Sequence, residues 1–177
     1  MNEGNIINSS NACLIEPNKE MVAEFLAMAE EYKAAGSDRY KSALVNFPVY
    51  LEQVSNYARG VKLNTDRVPA SEFWLVDGGK IVARSKLRHR LNRALEHEGG
   101  HIGYDVRPSE RRKGYGTLIL ELTLEKAGEL GLDKVLLTCD TDNVASAKII
   151  EKNGGKLVGE AISEKSGKQI SRYWIEI

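Results

Sequence analysis

Between Gly100 and Cys139 the chain leaves little topological choice. Gly100 to Arg107 reads as a strand, closed by Pro108, which cannot continue a ladder. Thr117 to Leu130 reads as a leucine-dense helix stopped by Gly131. Val135 to Cys139 is short and apolar on both faces, the pattern of a strand buried in a parallel sheet. A strand, a helix and a strand in that order predict a parallel pair joined by a right-handed crossover.

Flanking segments extend this unit. Ala12 to Glu16 reads as a short strand, and Pro17 as part of the first turn of a helix. That helix carries Met21, Val22, Phe25, Leu26 and Ala29 at helical spacing and stops at Gly36. A second helix is expected over about Val49 to Ala58, ending near Gly60. Glu72 to Val76 is short, aromatic and apolar, and Asp77-Gly78-Gly79 is a hairpin signal. Ile81, Ala83, Ser85 and Leu87 then alternate with Val82, Arg84, Lys86 and Arg88, so one strand face is mostly apolar and the other mostly basic. Val144 to Lys152 is a helix with Asn143 as its N-cap and Gly154 after its end. Lys156 to Gly159 and Arg172 to Ile177 are expected as the last strands. The pattern predicts an α/β protein of the mixed α+β kind. Its central mixed sheet has six to seven strands, flanked by about four helices.

Composition narrows the class. A chain of 177 residues with 42% hydrophobic and 28% charged residues suits one globular domain, expected over residues 1–177. Residues 1–11 are polar and are expected to be disordered. Basic and acidic residues balance at 25 each, which gives no global pull toward nucleic acid or membranes. Two cysteines, Cys13 and Cys139, fit a reducing cytosol better than a disulfide framework. The opening residues lack a basic segment and apolar run, and no stretch is long enough to span a bilayer, so a cytoplasmic protein with no membrane partner is expected. His97 and His101 stand four apart, but Gly99 and Gly100 between them argue against a helix, and no metal set is expected.

The chemistry concentrates in Val106 to Thr117, between the strand and the helix of the crossover. Gly114 and Gly116 have no Cβ, so a ligand can approach the backbone closely. The helix that follows offers unpaired N–H groups and a positive dipole end. Together these make a site for phosphate oxygens, with Arg111, Arg112 and Lys113 adding charge. No P-loop string is present. The Rossmann fingerprint fails, because Ile119 stands where its third glycine belongs. The string Arg111-x-x-Gly114-x-Gly116 does match [RQ]-x-x-G-x-[GA].

In this setting the chain resembles the GNAT superfamily of N-acetyltransferases. The resemblance covers about Phe73 to Ile177 in element order and is specific from Gly100 to Gly159. The runs Gly99 to Tyr104 and Ile150 to Gly155 look like a bacterial branch of predicted acetyltransferases. The resemblance implies that the strands Gly100–Arg107 and Val135–Cys139 splay apart, and that pantetheine enters between them and pairs with backbone near Tyr104, Asp105 and Val106. It implies a pyrophosphate site at Arg111, Arg112, Lys113, Gly114, Tyr115, Gly116 and Thr117, with Asn143 and Ser146 as further cofactor contacts. The co-substrate would be acetyl-CoA, and the acceptor a primary amine of a small molecule or peptide. A homodimer is common among such proteins.

The resemblance leaves the proton-transfer residues open. Many members use a carboxylate on or near the first strand as base, and Glu98 fits that description here. Many donate a proton to the leaving thiolate from a tyrosine seven residues after the asparagine equivalent to Asn143, where this chain has Ile150. Tyr104, Ser146 or water would then substitute. Tyr104 is equally readable as a core aromatic with its hydroxyl at the surface. From Lys80 to Leu95 there are six lysines and arginines and no acidic residue. The face of Arg84, Lys86, Arg88 and Arg90 either attracts an acidic substrate or the cofactor's 3′-phosphate, or is simply a solvated outer surface; His89 on the other face either lines the acceptor pocket or is a hydrogen-bonded core histidine. The basic strip lacks interleaved aromatics, which argues against nucleic acid. Two further readings stand beside the transferase: a non-catalytic acyl-CoA sensor, motivated by Ile150, and a nucleotide-binding protein of another fold.

Overall fold

A computed structural model describes residues 11–177; the expectation for residues 1–11 falls, but for Asn11, outside the described residues. The elements run β1 (Cys13–Ile15), α1 (Val22–Ala34), α2 (Lys41–Val45), α3 (Phe47–Arg59), β2 (Ala70–Asp77), β3 (Lys80–Arg88), α4 (Arg93–His97), β4 (Ile102–Val106), α5 (Tyr115–Glu129), β5 (Lys134–Asp140), α6 (Val144–Lys152), β6 (Lys156–Ile162) and β7 (Gln169–Glu176). The expected order is therefore observed, with two five-residue helices added. Neither α2 nor α4 is long enough to show a helical period in sequence. Pro17 precedes α1 rather than opening it. Asn18 shapes the entry instead, its Oδ1 accepting from Met21 N at 3.1 Å. Helix α3 starts at Phe47, capped by Asn46 with Pro48 in its first turn, and ends on Gly60 at φ 68°.

The strands form two antiparallel sheets, ordered β1-β2-β3-β4 and β5-β7-β6. The expected mixed sheet with a parallel pair is corrected on this point: β4 and β5 share no ladder. They meet through one backbone bond, His101 N to Leu136 O at 2.7 Å, backed by Leu136 N donating to His101 Nδ1 at 2.9 Å. An apolar strand such as β5 reports burial on both faces. It does not report the direction of its neighbour, which here is the antiparallel β7.

Helices α1 to α3 pack their aromatic residues on Trp74 and Ile81, around fully buried Phe25 and Met28. Helix α5 packs on β3 and β4 through Ile119, and buried Ser85 and Thr123 share a hydrogen bond of 2.7 Å. A third cluster joins α5 to the second sheet through Leu120, Val135, Leu137 and Tyr173, and takes in Ile150 from α6. The basic face of β3 is not a solvated surface. Arg84 is buried against Glu72 and Asp105, and Lys86 lies over the Tyr57 ring of α3 at 4.6 Å.

Candidate active site

A V-shaped gap separates β4 from β5. Its apex is at Gly100, where an added Cβ would lie 2.2 Å from Leu136 O, so only glycine lets the strands come this close. The residue also has φ 57°, in the left-handed region. Arg88 N bonds His101 O and Arg107 N bonds Val82 O, so odd-numbered residues of β4 turn their backbone toward β3. By antiparallel alternation, the N–H and C=O groups of Tyr104 and Val106 face the gap. Val106 O there accepts from Tyr32 Oη at 2.7 Å and from Arg111 Nε at 3.4 Å.

The loop after β4 is pinned from below. Buried Glu110 pairs with Lys80 of the β2–β3 hairpin and with Lys113. Burial works against its charge, but the two lysines outweigh it and hold the carboxyl below the usual range. Tyr115 Oη donates to Asp77 in the same hairpin at 2.6 Å, which pushes the phenol up to about 12. Gly114, at φ 91°, opens α5 without a side-chain cap. The N–H groups of Gly114, Tyr115 and Gly116 find no acceptor among the described residues. Gly116 has a packing role beside any ligand role: a Cβ there would lie 2.7 Å from Ile149 Cδ1, so its absence seats α6 against α5.

A cleft of about 710 Å³ runs from this loop along β4 to α6. Of the residues singled out from sequence, Tyr104, Asp105, Val106, Arg111, Arg112, Gly114, Tyr115, Gly116, Thr117, Asn143 and Ser146 line it. Lys113 does not, because Glu110 holds its ammonium. Glu98 does not either. It closes α4, which takes up the residues expected to prolong the strand, and it stands on the apex side of the V. Asn143 caps α6, its Oδ1 accepting from Ser146 N at 3.1 Å. Tyr104 Oη lies 3.0 Å from Ser146 Oγ. Burial pushes that phenol up to about 12. Ile150, where the resemblance implies a tyrosine, is 1% exposed and belongs to the core.

Tyr32 and Arg39 also line the cleft and were not foreseen. Asp105 draws them in: its carboxylate accepts from Tyr32 Oη at 2.9 Å, from Tyr40 Oη and from Arg39 at 3.3 Å, with Arg84 at 3.6 Å. Tyr32 follows Phe25, Met28 and Ala29 on the buried stripe of α1, so its sequence signal is that of core. Nothing local marks a contact 73 residues away. His89 takes the structural role expected, bonding Ser71 Oγ at 2.9 Å. The described residues contain no cluster of three or more potential metal ligands, and no helix among them is long and apolar enough to cross a membrane.

Comparison with known proteins decides the family. A family model described as "Acetyltransferase (GNAT) domain" matches residues 16–156. The chain belongs to the GNAT acetyltransferase family. No curated protein sequence matches it. Solved structures share the GNAT fold at low identity. An acetyltransferase from Salmonella typhimurium that modifies the N-terminal serine of ribosomal protein L7/L12 superposes with a TM-score of 0.70 at 13% identity, over 97% of this chain and 98% of that one. The microcin C7 self-immunity acetyltransferase MccE, in complex with acetyl-CoA and AMP, gives 0.71 at 16% identity over 99% and 100%. A chimera of Vibrio cholerae spermidine N-acetyltransferase gives 0.66 at 16% over 94% and 99%. These GNAT relatives act on a protein terminus in one case and are named for a small polyamine in another, so family membership leaves the acceptor open.

Proposed function

We propose that this GNAT protein transfers the acetyl group of acetyl-CoA directly to a primary amine. The observation that carries the reading is the cleft itself. One wall is the open backbone edge of β4, one end is a loop of unpaired N–H groups under Arg111 and Arg112, and a tyrosine hydroxyl stands between them. Those parts fit coenzyme A: the loop and the start of α5 suit its pyrophosphate, and the strand edge suits its amide-bearing arm. Acetyl-CoA supplies a thioester carbonyl and a thiolate leaving group.

The protein supplies two services. Backbone N–H groups on the open edge of β4 stabilise negative charge developing on the acyl oxygen. Tyr104 stabilises the thiolate as a hydrogen-bond donor, with Ser146 Oγ fixing its hydroxyl. Full proton transfer from Tyr104 is uphill, because burial pushes its phenol up to about 12, above the range of a thiol, so solvent delivers the proton itself. The incoming amine gives up its proton to water, because Glu98, the carboxylate expected from sequence, stands on the apex side of the V and does not line the cleft.

The buried Ile150 favours a second reading, a sensor that binds acyl-CoA without turnover. The hydroxyl of Tyr104 in the cleft answers it, since a donor is present by another route. Thiol release from acetyl-CoA in the presence of an amine panel separates the two. Tyr104→Phe is expected to lower kcat by roughly 100-fold, the lower end of losing one preorganised donor, with acetyl-CoA affinity retained. A fully active Tyr104→Phe protein would remove Tyr104 from the mechanism.

A further inference from the structure

A second recess lies on the other face of β3, at the apex end of the V. It encloses about 260 Å³ between α3, the segment leading into β2, the end of β3 and α4. Four cationic side chains border it, Arg67, Lys86, Arg88 and Lys165, against one carboxylate, Asp66. Among the described residues none of the four has an ion-pair partner. Arg88 is spent in part on structure, donating to Gly99 O and Gly100 O at 3.0 and 2.9 Å. Those bonds set the recess against the apex. Lys86 has no hydrogen-bond acceptor among the described residues and is half-buried over the Tyr57 ring. One cation–π contact explains where one ammonium rests, but not why four cations converge on one recess.

The recess also stands in register with the chemistry. Lys86 pairs with Gly103 and Ser85 with Tyr104, so the part of the basic row that borders the recess begins one residue back along β4 from Tyr104 and on the opposite face. From Tyr104 to the His101 opposite Arg88 is three residues, about 10 Å of strand at ~3.3 Å each. Gly103 has nothing within 4 Å of where a Cβ would stand, which keeps this approach open.

We infer that this recess binds an oxyanion, a phosphate or carboxylate, carried by the acceptor amine. Its volume suits one such group with a short stem, not a nucleotide. The inference rests on the transferase reading for the word acceptor, while the anion site itself does not. An acceptor anchored here reaches the apex of the V from the end opposite the phosphate-binding loop, so the two substrates do not compete for space.

Two measurements test it. The first footprints lysines with acetic anhydride, read by peptide mass spectrometry on the full chain, with and without inorganic phosphate. Phosphate is expected to protect Lys86 several-fold, and Arg67→Ser to abolish that protection; Lys86 modified equally with and without phosphate would overturn the site. The second compares matched acceptors, an amino sugar with its phosphate ester and an amino acid amide with its free acid. The charged member of one pair is expected to show a KM at least tenfold lower, and Lys86→Met to raise that KM about tenfold with little change in kcat. The pair that responds tells phosphate from carboxylate. Equal KM values within both pairs, with acetyl-CoA still consumed, would overturn the acceptor assignment and leave the transferase reading standing. Protection of Lys86 in a protein that does not bind acetyl-CoA would overturn the transferase reading and the acceptor assignment together, leaving only an anion site.

Discussion

On the anion-site reading, Lys86 carries function at a cost to the fold. Burial, with Arg84 and Arg88 beside it, brings its ammonium down to about 8. A lysine held below its ordinary value makes the folded state less favourable wherever the unfolded chain is still protonated, and that penalty is relieved as pH rises from about 8 toward ~10.4. Lys86→Met is therefore expected to stabilise the protein at pH 7 by roughly 1 kcal/mol, the recovered desolvation less the forfeited attraction to the Tyr57 ring. Its melting temperature, measured beside wild type at pH 7 and pH 10, should show a gain that shrinks at the higher pH. A destabilised variant would mean that the attraction of Glu72 and the Tyr57 ring outweighs the cost of burial. Cleft residues within the Arg111–Thr117 loop and at Asn143 and Ser146 were legible in sequence, because loop glycines and an N-cap are local signals. Arg84 was not. Its basic neighbours suggested a wetted face, whereas its partners Glu72 and Asp105 come from β2 and β4 and the aromatic cover comes from the N-terminal helices.

At the scale of elements, the apex where β4 meets β5 matters most. His101 completes there what a ladder would otherwise do, giving its backbone N–H to Leu136 O and accepting the Leu136 N–H at its Nδ1. Accepting at Nδ1 requires a neutral ring, and burial, with Arg88 nearby, holds the imidazole below its ordinary value. The stability this contributes is present above about pH 6.5 and is lost as pH falls through that value. His101→Leu leaves the Leu136 N–H unpaired and is expected to cost about 1–3 kcal/mol at pH 7, with a smaller loss at pH 5. Thermal melts across pH 5–8 check this; His89, also held low, is common to both proteins and cancels. Equal slopes for the two proteins would rule out the clasp. Strand and helix order could be read from period and turn residues, as at Asp77–Lys80, where Gly78 and Gly79 both take positive φ. The division into two sheets could not, because strand direction and pairing depend on contacts far apart in sequence.

Across the whole molecule, the two ends of β4 divide the work. On the proposed reading, the C-terminal end, with its loop and α5, takes coenzyme A, and the apex end takes the acceptor. The N-terminal helices tie the halves together. Arg107, buried just past β4, pairs with Glu24 and Glu31 of α1, and Asp105 gathers Tyr32, Tyr40 and Arg39. The most direct test is thermal unfolding of the full chain with acetyl-CoA, with ATP and NADH as separate comparisons. A ligand at about a hundred times its dissociation constant adds roughly 2.7 kcal/mol, which at this chain length is a rise on the order of 5–10 °C. The account predicts that rise with acetyl-CoA alone. A rise with ATP or NADH and none with acetyl-CoA would contradict it.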